Sequence, residues 1–200
     1  MISSPEPLLY PLKPGEYVPN DWYAKPIPEN IEVGDETVID SSVTFKNFRS
    51  TLLPALKVGN YVTLCRASLA TEGNAVIEIG DYCYISNAVL VCAERIKLGS
   101  HVFLAAGVTI ADSDFHPIQP AARMADTVAI SPLGNHRQRP PIKSSPVEIE
   151  SGVWIGFGAT ILKGVHIGAD AVVAPGSVVI SDVPAGCTVA GNPAKIVSVA

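Results

Sequence analysis

The chain has 200 residues and a formal net charge of −5, with 48% hydrophobic and 16% charged residues. This length suits one domain that buries its own core, and the lack of a basic region speaks against a nucleic-acid partner. The sequence predicts neither a secretory leader nor a bilayer-spanning run, and its four cysteines form no C-x-x-C pair. We therefore expect a cytoplasmic protein with reduced thiols and no membrane insertion.

Residues 1–30 form an arm rich in proline and aromatic residues, with seven prolines among Tyr10, Tyr17, Trp22 and Tyr23. Because proline has no N–H group and a fixed φ, this composition excludes a regular helix or a central strand. We expect an extended arm that packs across the following domain or against a neighbouring subunit. A cap without further function is the alternative.

A six-residue period runs through residues 31–200. Its strongest stretch has six aliphatic residues, each six positions after the one before: Ile149, Ile155, Ile161, Ile167, Val173 and Val179. A small or β-branched residue follows each of them by four positions. The period returns upstream at Leu98, Leu104 and Ile110. A period of six fits neither a helix nor simple strand alternation, but it fits short strands joined by tight turns. The sequence predicts an all-β parallel β-helix with three strands in each coil of about 18 residues, whose core forms when coils stack.

The period breaks over an insertion from about residue 112 to 146, which contains six prolines and the arginines Arg123, Arg137 and Arg139. A long irregular insertion in a compact repeat is usually functional. We expect a loop with at most one helical turn, at residues 121–126. The arginines either clamp a carboxylate or phosphate of a substrate or hold the loop in place through ion pairs.

Several motifs stand out against this background: Ile79-Gly80-Asp81, Val153-Trp154-Ile155-Gly156, residues 164–169, Asp182-Val183-Pro184 and residues 190–195. Together they resemble the hexapeptide-repeat acyltransferases, in particular the sugar and maltose O-acetyltransferases. The resemblance implies a left-handed β-helix, a homotrimer and acetyl-CoA as the acyl donor. The handedness does not follow from the period itself.

The segment from Asp112 to Pro117 opens the insertion and resembles the His-Pro motif of these enzymes, whose histidine is the general base. The resemblance implies this role for His116, and an imidazole can take a proton from a sugar hydroxyl near neutral pH. A buried core histidine is the alternative, because the six-residue register continues to this position. Asp112 and Asp114 would share one side of an extended segment with His116, so either one can orient the imidazole or bind local amides.

Three further residues are candidates for binding the acceptor. Asn87 matches the acceptor-binding asparagine of the maltose-type enzymes, or else is a turn residue, and Cys92 stands where those enzymes carry an acceptor-binding aspartate. The third candidate is Arg123. A thiol cannot accept hydrogen bonds from a sugar diol as a carboxylate can, so Cys92 departs from the family's pattern.

The resemblance also implies a path for the acyl donor. The backbone N–H of Phe157 would stabilise the oxyanion, and Lys195 would meet the nucleotide phosphates. Trp154 is either a wall of the donor channel or structural. The remaining contacts of coenzyme A are implied at Gly158, Ala159, Ala174 and Pro175.

The resemblance thus implies direct transfer of an acetyl group from acetyl-CoA to a hydroxyl of a sugar or glycan precursor, with no metal. Amino-sugar N-acetylation is a close variant. A metalloenzyme resembling the γ-type carbonic anhydrases would need three histidines around zinc, and the spacing of His101, His116 and His136 does not suit it. A non-catalytic β-helix scaffold would need neither the His-Pro motif nor the insertion.

Overall fold

The computed structural model describes residues 8–133 and 138–199. The strands before the insertion are β1 Tyr10–Pro11, β2 Ile31–Val33, β3 Val38–Ile39, β4 Leu56–Val58, β5 Thr63–Cys65, β6 Ser68–Thr71, β7 Val76–Ile79, β8 Tyr84–Ser86, β9 Val89–Cys92, β10 Arg95–Leu98, β11 Phe103–Leu104 and β12 Thr109–Ala111. The insertion carries the helix α1 Pro120–Ile130. The strands after it are β13 Val147–Ile149, β14 Trp154–Ile155, β15 Thr160–Ile161, β16 His166–Ile167, β17 Val172–Val173, β18 Val178–Val179, β19 Cys187–Gly191 and β20 Ala194–Val199.

The strands form three sheets, which are the faces of a triangular prism. The charged face has the order β2-β4-β7-β10-β13-β16, the aromatic face runs from β3 through β5, β8, β11, β14 and β17 to β19, and the aliphatic face has the order β6-β9-β12-β15-β18. Strands of successive coils pair in parallel on every face, as β7 with β10 and β8 with β11. Each coil passes the charged, the aromatic and the aliphatic face in that order. The predicted left-handed parallel β-helix of hexapeptide repeats is confirmed.

The core consists of columns of aliphatic side chains that point into the prism. Ile85 pairs with Leu104 on the aromatic face and Leu90 with Ile110 on the aliphatic face, and all four are fully buried. The six residues of the strongest repeat, from Ile149 to Val179, are each at most 1% exposed. The period therefore marks the inward positions, because every third strand returns to the same face.

Outward positions differ between the faces. The charged face carries ion pairs between neighbouring coils, such as Arg95 with Glu78 at 2.5 Å and Lys97 with Glu148 at 2.6 Å. The aromatic face exposes Tyr84, Phe103 and Trp154 on successive coils. Exposed ion pairs contribute only about 0–1 kcal/mol each, so burial of the inward columns carries most of the stability.

The arm packs on the first coil. Strand β1 pairs antiparallel with β3, so Pro11 lies in an edge strand, where a missing N–H is tolerated. Leu12, Val18 and Ile27 of the arm are at most 6% exposed and belong to the core. The arm thus covers apolar surface of the first coil.

The insertion leaves the prism at the corner between the aliphatic and the charged face, after β12. Its helix α1 has 11 residues, so the prediction of at most one turn is wrong. Pro120 lies in the first turn, where backbone N–H groups have no partner within the helix, so its missing N–H costs no hydrogen bond. Ala121, Ala122 and Met124 have high helix propensity. In the described part of the chain, no helix has the length and apolar character needed to cross a membrane.

Candidate functional site

His116 lies outside the stack of coils. Its side chain is 51% exposed, so the alternative of a buried core histidine does not hold. The residue before it, Phe115, has a φ of +58°, which is rare and costly for an aromatic residue. This left-handed residue turns the chain, and His116 N–H closes the turn on the carbonyl of Asp114 at 2.7 Å.

The imidazole of His116 is held by Asp126 of helix α1. The distance from His116 Nδ1 to Asp126 Oδ2 is 2.7 Å, and the Asp126 side chain is fully buried. A carboxylate can only accept a hydrogen bond, so Nδ1 carries a proton, and in the neutral imidazole Nε2 keeps its lone pair. Asp126 therefore orients His116, although no motif in the sequence marks Asp126 as a site residue.

Arg139 fixes this carboxylate from the far end of the insertion. Its Nε donates to Asp126 Oδ1 at 2.7 Å, and its NH2 group donates to the Phe115 carbonyl at 2.7 Å. Its NH1 group reaches Glu72 on an earlier coil at 2.8 Å. The hydrogen bond from Arg139, helped by His116 and opposed by burial, lowers the pKa of Asp126 to about 2. Asp126 is therefore charged at neutral pH, and Arg139 holds the insertion in place through ion pairs, one of its two predicted roles.

Asp112 does not orient His116, which corrects one prediction. Its fully buried carboxylate accepts the backbone N–H groups of Ala93 at 2.7 Å and of Glu94 and Arg95 at 2.8 Å each. It thus closes the corner of the preceding coil where the insertion interrupts the stack. This is the alternative role of a turn carboxylate that binds local amides.

Asp114 does not orient His116 either. Its carboxylate pairs with Lys163 Nζ, and its N–H donates to the Lys143 carbonyl at 3.1 Å. Because Phe115 turns the chain between Asp114 and His116, the assumed extended segment with both side chains on one side does not exist. Asp114 and His116 nevertheless both line a cavity of about 290 Å³.

Two candidates for acceptor binding also have other roles. Cys92 is fully buried, and its thiol lies 3.3 Å from Asp112 Oδ2 and 3.4 Å from the Val76 carbonyl. Burial and the Asp112 charge raise the pKa of this thiol. Arg123 donates to the carbonyl of Ile118 at 2.8 Å and thus supports the segment after His116. The prediction that Cys92 binds the acceptor is wrong, and Arg123 is committed to the backbone.

Asn87 lies at a different corner, between the aromatic and the aliphatic face. This corner carries residues with positive φ on five successive coils: Arg66, Asn87, Gly107, Gly158 and Gly176. The Asn87 side chain is exposed and makes no hydrogen bond within the described residues. The structure therefore does not bring Asn87 to His116 within one chain, because none of the residues that line the His116 cavity belongs to this corner.

The predicted donor path follows the same corner. The backbone N–H of Phe157 makes no hydrogen bond to the part of the chain that the structure describes, and the Phe157 side chain is 64% exposed. A Cβ placed on Gly158 or Gly176 would meet no atom within 4 Å, so the backbone is open to a thin ligand there. Pro175 stands one coil below Phe157 and is exposed.

Two other residues of the predicted path are used within the fold. The side chain of Ala159 is fully buried, its N–H donates to the Gly156 carbonyl at 3.2 Å, and its carbonyl accepts the Thr109 N–H at 2.9 Å. The N–H of Ala174 donates to the Val189 carbonyl at 2.8 Å. Ala159 was predicted to contact coenzyme A, but it is buried and supports the corner from inside the prism.

Trp154 and Lys195 complete the set. Trp154 is 50% exposed on the aromatic face, in register with Phe103. Lys195 is exposed on β20, opposite Ala190 in the hairpin that ends the aromatic face, and it has no ion pair within the described residues. The predicted residues Arg137 and His136 lie outside the described residues. Among the residues with described positions, no group of three His, Cys, Asp or Glu side chains is arranged to hold a metal ion.

A family model described as bacterial transferase hexapeptide (six repeats) matches residues 146–181. Over 122 residues the chain is 36% identical to a putative acetyltransferase of Saccharomyces cerevisiae. This aligned region covers 60% of the chain and 55% of the yeast protein. Over 57 residues it is 54% identical to the 2,3,4,5-tetrahydropyridine-2,6-dicarboxylate N-acetyltransferase of Staphylococcus aureus. This shorter alignment covers 28% of the chain and 24% of that enzyme. The chain thus spans little more than half of the first relative and a quarter of the second.

Among solved structures, a hexapeptide-repeat acetyltransferase of Vibrio cholerae in complex with acetyl-coenzyme A is similar with a TM-score of 0.53 and 32% identity. The similarity covers 66% of this chain and 64% of the Vibrio chain. A galactoside acetyltransferase in complex with coenzyme A has a TM-score of 0.54 at 22% identity and supports the fold alone. The predicted resemblance to hexapeptide-repeat acetyltransferases is confirmed.

The role of Asp126 predicts the tautomer of His116. In the wild type, nitrogen-15 spectra of the imidazole are expected to show the Nδ1–H form. In Asp126→Asn, Arg139 Nε still requires an oxygen, so the amide NH2 group turns toward Nδ1 and shifts the ring proton to Nε2. Asp114→Asn is the matched control and should leave the tautomer unchanged. A changed tautomer in Asp114→Asn, or none in Asp126→Asn, would contradict the assignment.

Proposed function

We propose that this protein is an acetyl-CoA-dependent acetyltransferase in which His116 is the general base. The observation that carries the proposal is the exposed imidazole whose Nδ1 is held by the buried, charged Asp126. A histidine held in this way presents Nε2 as a proton acceptor, which is the arrangement of a general base. The acetyltransferases with similar sequence and fold support the reaction class.

The proposed chemistry is direct transfer. His116 Nε2 takes the proton of the acceptor hydroxyl as the hydroxyl oxygen attacks the thioester carbon, and it returns the proton to the leaving sulfur. Proton transfer of this kind is worth about 10²–10⁴ in rate, or roughly 3–5 kcal/mol. The negative charge of Asp126 stabilises the imidazolium that forms in between.

The donor would lie along the corner between the aromatic and the aliphatic face. The N–H of Phe157, which has no partner among the described residues, suits an oxyanion, and the bare backbone at Gly158 and Gly176 suits the thin pantetheine arm. The exposed ammonium of Lys195 at the end of the stack suits a phosphate. Acetyl-CoA bound there supplies the acetyl group, and these chain groups position it.

The site needs more than one copy of the chain. His116 belongs to the corner between the aliphatic and the charged face, whereas Phe157 and Asn87 belong to the next corner of the prism. We therefore propose the homotrimer that the resemblance implies, with His116 of one copy facing Phe157 of another. Exposed apolar side chains suit such contacts, including Phe103 at 42% on the aromatic face and Met124 at 73% on α1.

For the acceptor we propose a hydroxyl of a sugar or glycan precursor, with the exposed Asn87 amide as a contact. N-acetylation of an amino sugar is the second candidate, because His116 can serve an amine equally and one relative is an N-acetyltransferase. A non-catalytic scaffold gives no reason for the left-handed Phe115 or for the buried Asp126 beside an exposed histidine. A cytoplasmic location, in keeping with four unpaired cysteines, remains part of the proposal.

His116→Ala tests the base. We expect kcat to fall by about 10²-fold or more while acetyl-CoA affinity stays nearly unchanged, because only the proton acceptor is lost. Release of coenzyme A thiol across a panel of sugar and amino-sugar acceptors measures the rate. His166→Ala is the control, since His166 pairs with Glu150 on the charged face and does not line the His116 cavity. A wild-type kcat in His116→Ala would rule out this assignment.

Phe157→Pro tests the oxyanion donor. Proline has no N–H, and Pro175 already occupies the equivalent position one coil below, so the backbone there accepts it. We expect kcat to fall by about 10²–10³-fold in Phe157→Pro, because one backbone donor is lost. Phe157→Ala keeps the N–H and should retain a much higher kcat than Phe157→Pro. Equal losses in both variants would show that the side chain matters and the N–H does not.

A further inference from the structure

A second cleft, the arm cleft, lies between the arm and the first coils and shares no lining residue with the His116 cavity. Its volume is about 630 Å³, and its lining includes Tyr10, Asn20, Trp22, Asp40 and Arg66. These are two aromatic rings, an amide, a carboxylate and a guanidinium in one cleft. None of them takes part in the reaction steps given above.

The walls of this cleft are held in place. Asp21, next to Trp22, accepts hydrogen bonds from Ser41 Oγ at 2.7 Å and from the Ser42 N–H at 2.8 Å. Partial burial opposes its ionisation, but these bonds from Ser42 and Ser41 prevail and lower the pKa of Asp21. Asp40 accepts the backbone N–H of Arg66 at 2.9 Å. Asp21 thus ties the arm to the first coil, and Asp40 ties the first coil to the next one.

Trp22 is nevertheless 77% exposed, although the residue before it is anchored. Its ring contacts Tyr23 edge to face, at 5.8 Å between centroids, which leaves the indole accessible. A large aromatic ring left open on a fixed surface is typical of a ligand contact. The flat face of an indole matches the apolar face of a sugar ring, and its N–H adds a donor.

Arg66 provides independent support. It has a φ of +51°, in the corner where three later coils place glycine, the residue that adopts this conformation without strain. The guanidinium is exposed and forms no ion pair within the described residues. The Arg66 side chain is therefore exposed at the edge of the cleft and available to a ligand. Donors on Arg66 and Asn20 and acceptors on Asp40 can bind the hydroxyl groups of a sugar.

The cleft continues the corner on which Asn87 lies. Arg66 stands one coil above Asn87, whose N–H donates to the Cys65 carbonyl at 2.7 Å. Three coil steps separate Arg66 from Gly158, beside the proposed oxyanion donor. At ~4.8 Å between neighbouring strands, this distance is ~14 Å, which is longer than a single sugar ring.

We propose that the arm cleft binds a distal sugar unit of the acceptor, with Trp22 stacking on the ring and Arg66 donating to its hydroxyl groups. The acceptor is then an oligosaccharide or the glycan of a larger conjugate, and a monosaccharide is too short to use the cleft. That this saccharide is the acceptor rests on the proposed function, whereas binding of a saccharide in the arm cleft does not.

Binding of the labelled full-length protein to an array of mono- to hexasaccharides, without acetyl-CoA, tests this inference. We expect the wild type to bind oligosaccharides and not their monosaccharide units. Trp22→Ala and Arg66→Gly should each weaken binding at least tenfold. Arg66→Gly also relieves the strained backbone, so its melting temperature should not fall and misfolding cannot explain the loss. Tyr17→Ala is the matched control, because Tyr17 is an exposed aromatic residue of the arm outside the cleft.

Three results would overturn the inference: no binding by the wild type, unchanged binding in both cleft variants, or equal binding of monosaccharides. Dissociation of the oligomer by Trp22→Ala with unchanged saccharide binding would also overturn it and assign this surface to contact between copies. Acetyl-CoA binding, measured separately, separates the two proposals. If acetyl-CoA binds and no saccharide does, only this inference fails; if saccharides bind and acetyl-CoA does not, only the proposed transferase activity fails.

Discussion

The stacking of inward aliphatic columns governs everything else in this molecule. Each coil can bury residues such as Leu104 and Ile155 only by placing them over their equivalents in the next coil, and the parallel ladders keep that register. The chain can therefore leave the prism only at a corner, and side chains can vary freely only on the outside. Both the insertion with His116 and the open backbone at Phe157 lie at corners for this reason, on different sides of the same prism.

The insertion is held to this frame by charge rather than by a core of its own. Arg139 joins Asp126 of α1 to Glu72 of an earlier coil, and Lys163 of a later coil pairs with Asp114. Of the residues in α1, only Asp126 is fully buried. A buried carboxylate is unfavourable unless it is paired, so its retention beneath an exposed histidine suits a site more than a structural contact.

The sequence predicts the repeat well because the inward positions obey a six-residue period within each uninterrupted stretch, as from Leu98 to Ile110 and from Ile149 to Val179, and these residues are buried. It also predicts His116, because a motif marks it. It could not predict Asp126, which lies ten residues away on a helix and reaches His116 only through the packing of the insertion. Of the two roles predicted for Asp112 and Asp114, orienting His116 does not hold, because it assumed an extended segment, whereas Phe115 is left-handed. For α1 the sequence does carry a signal, because Pro120 is favoured in the first turn of a helix and the alanines that follow favour its continuation.

Calorimetric titration of the assembled protein with acetyl-CoA, in the absence of any acceptor, tests the proposed reaction class most directly, since it requires no knowledge of the sugar. If the donor lies along the proposed path from Phe157 to Lys195, we expect saturable binding with about one site per chain. Binding should persist in His116→Ala, because this histidine acts on the acceptor. If acetyl-CoA does not bind to a properly assembled oligomer, the proposed acetyltransferase function is contradicted. A scaffold, or an enzyme with a different acyl donor, is then the better explanation.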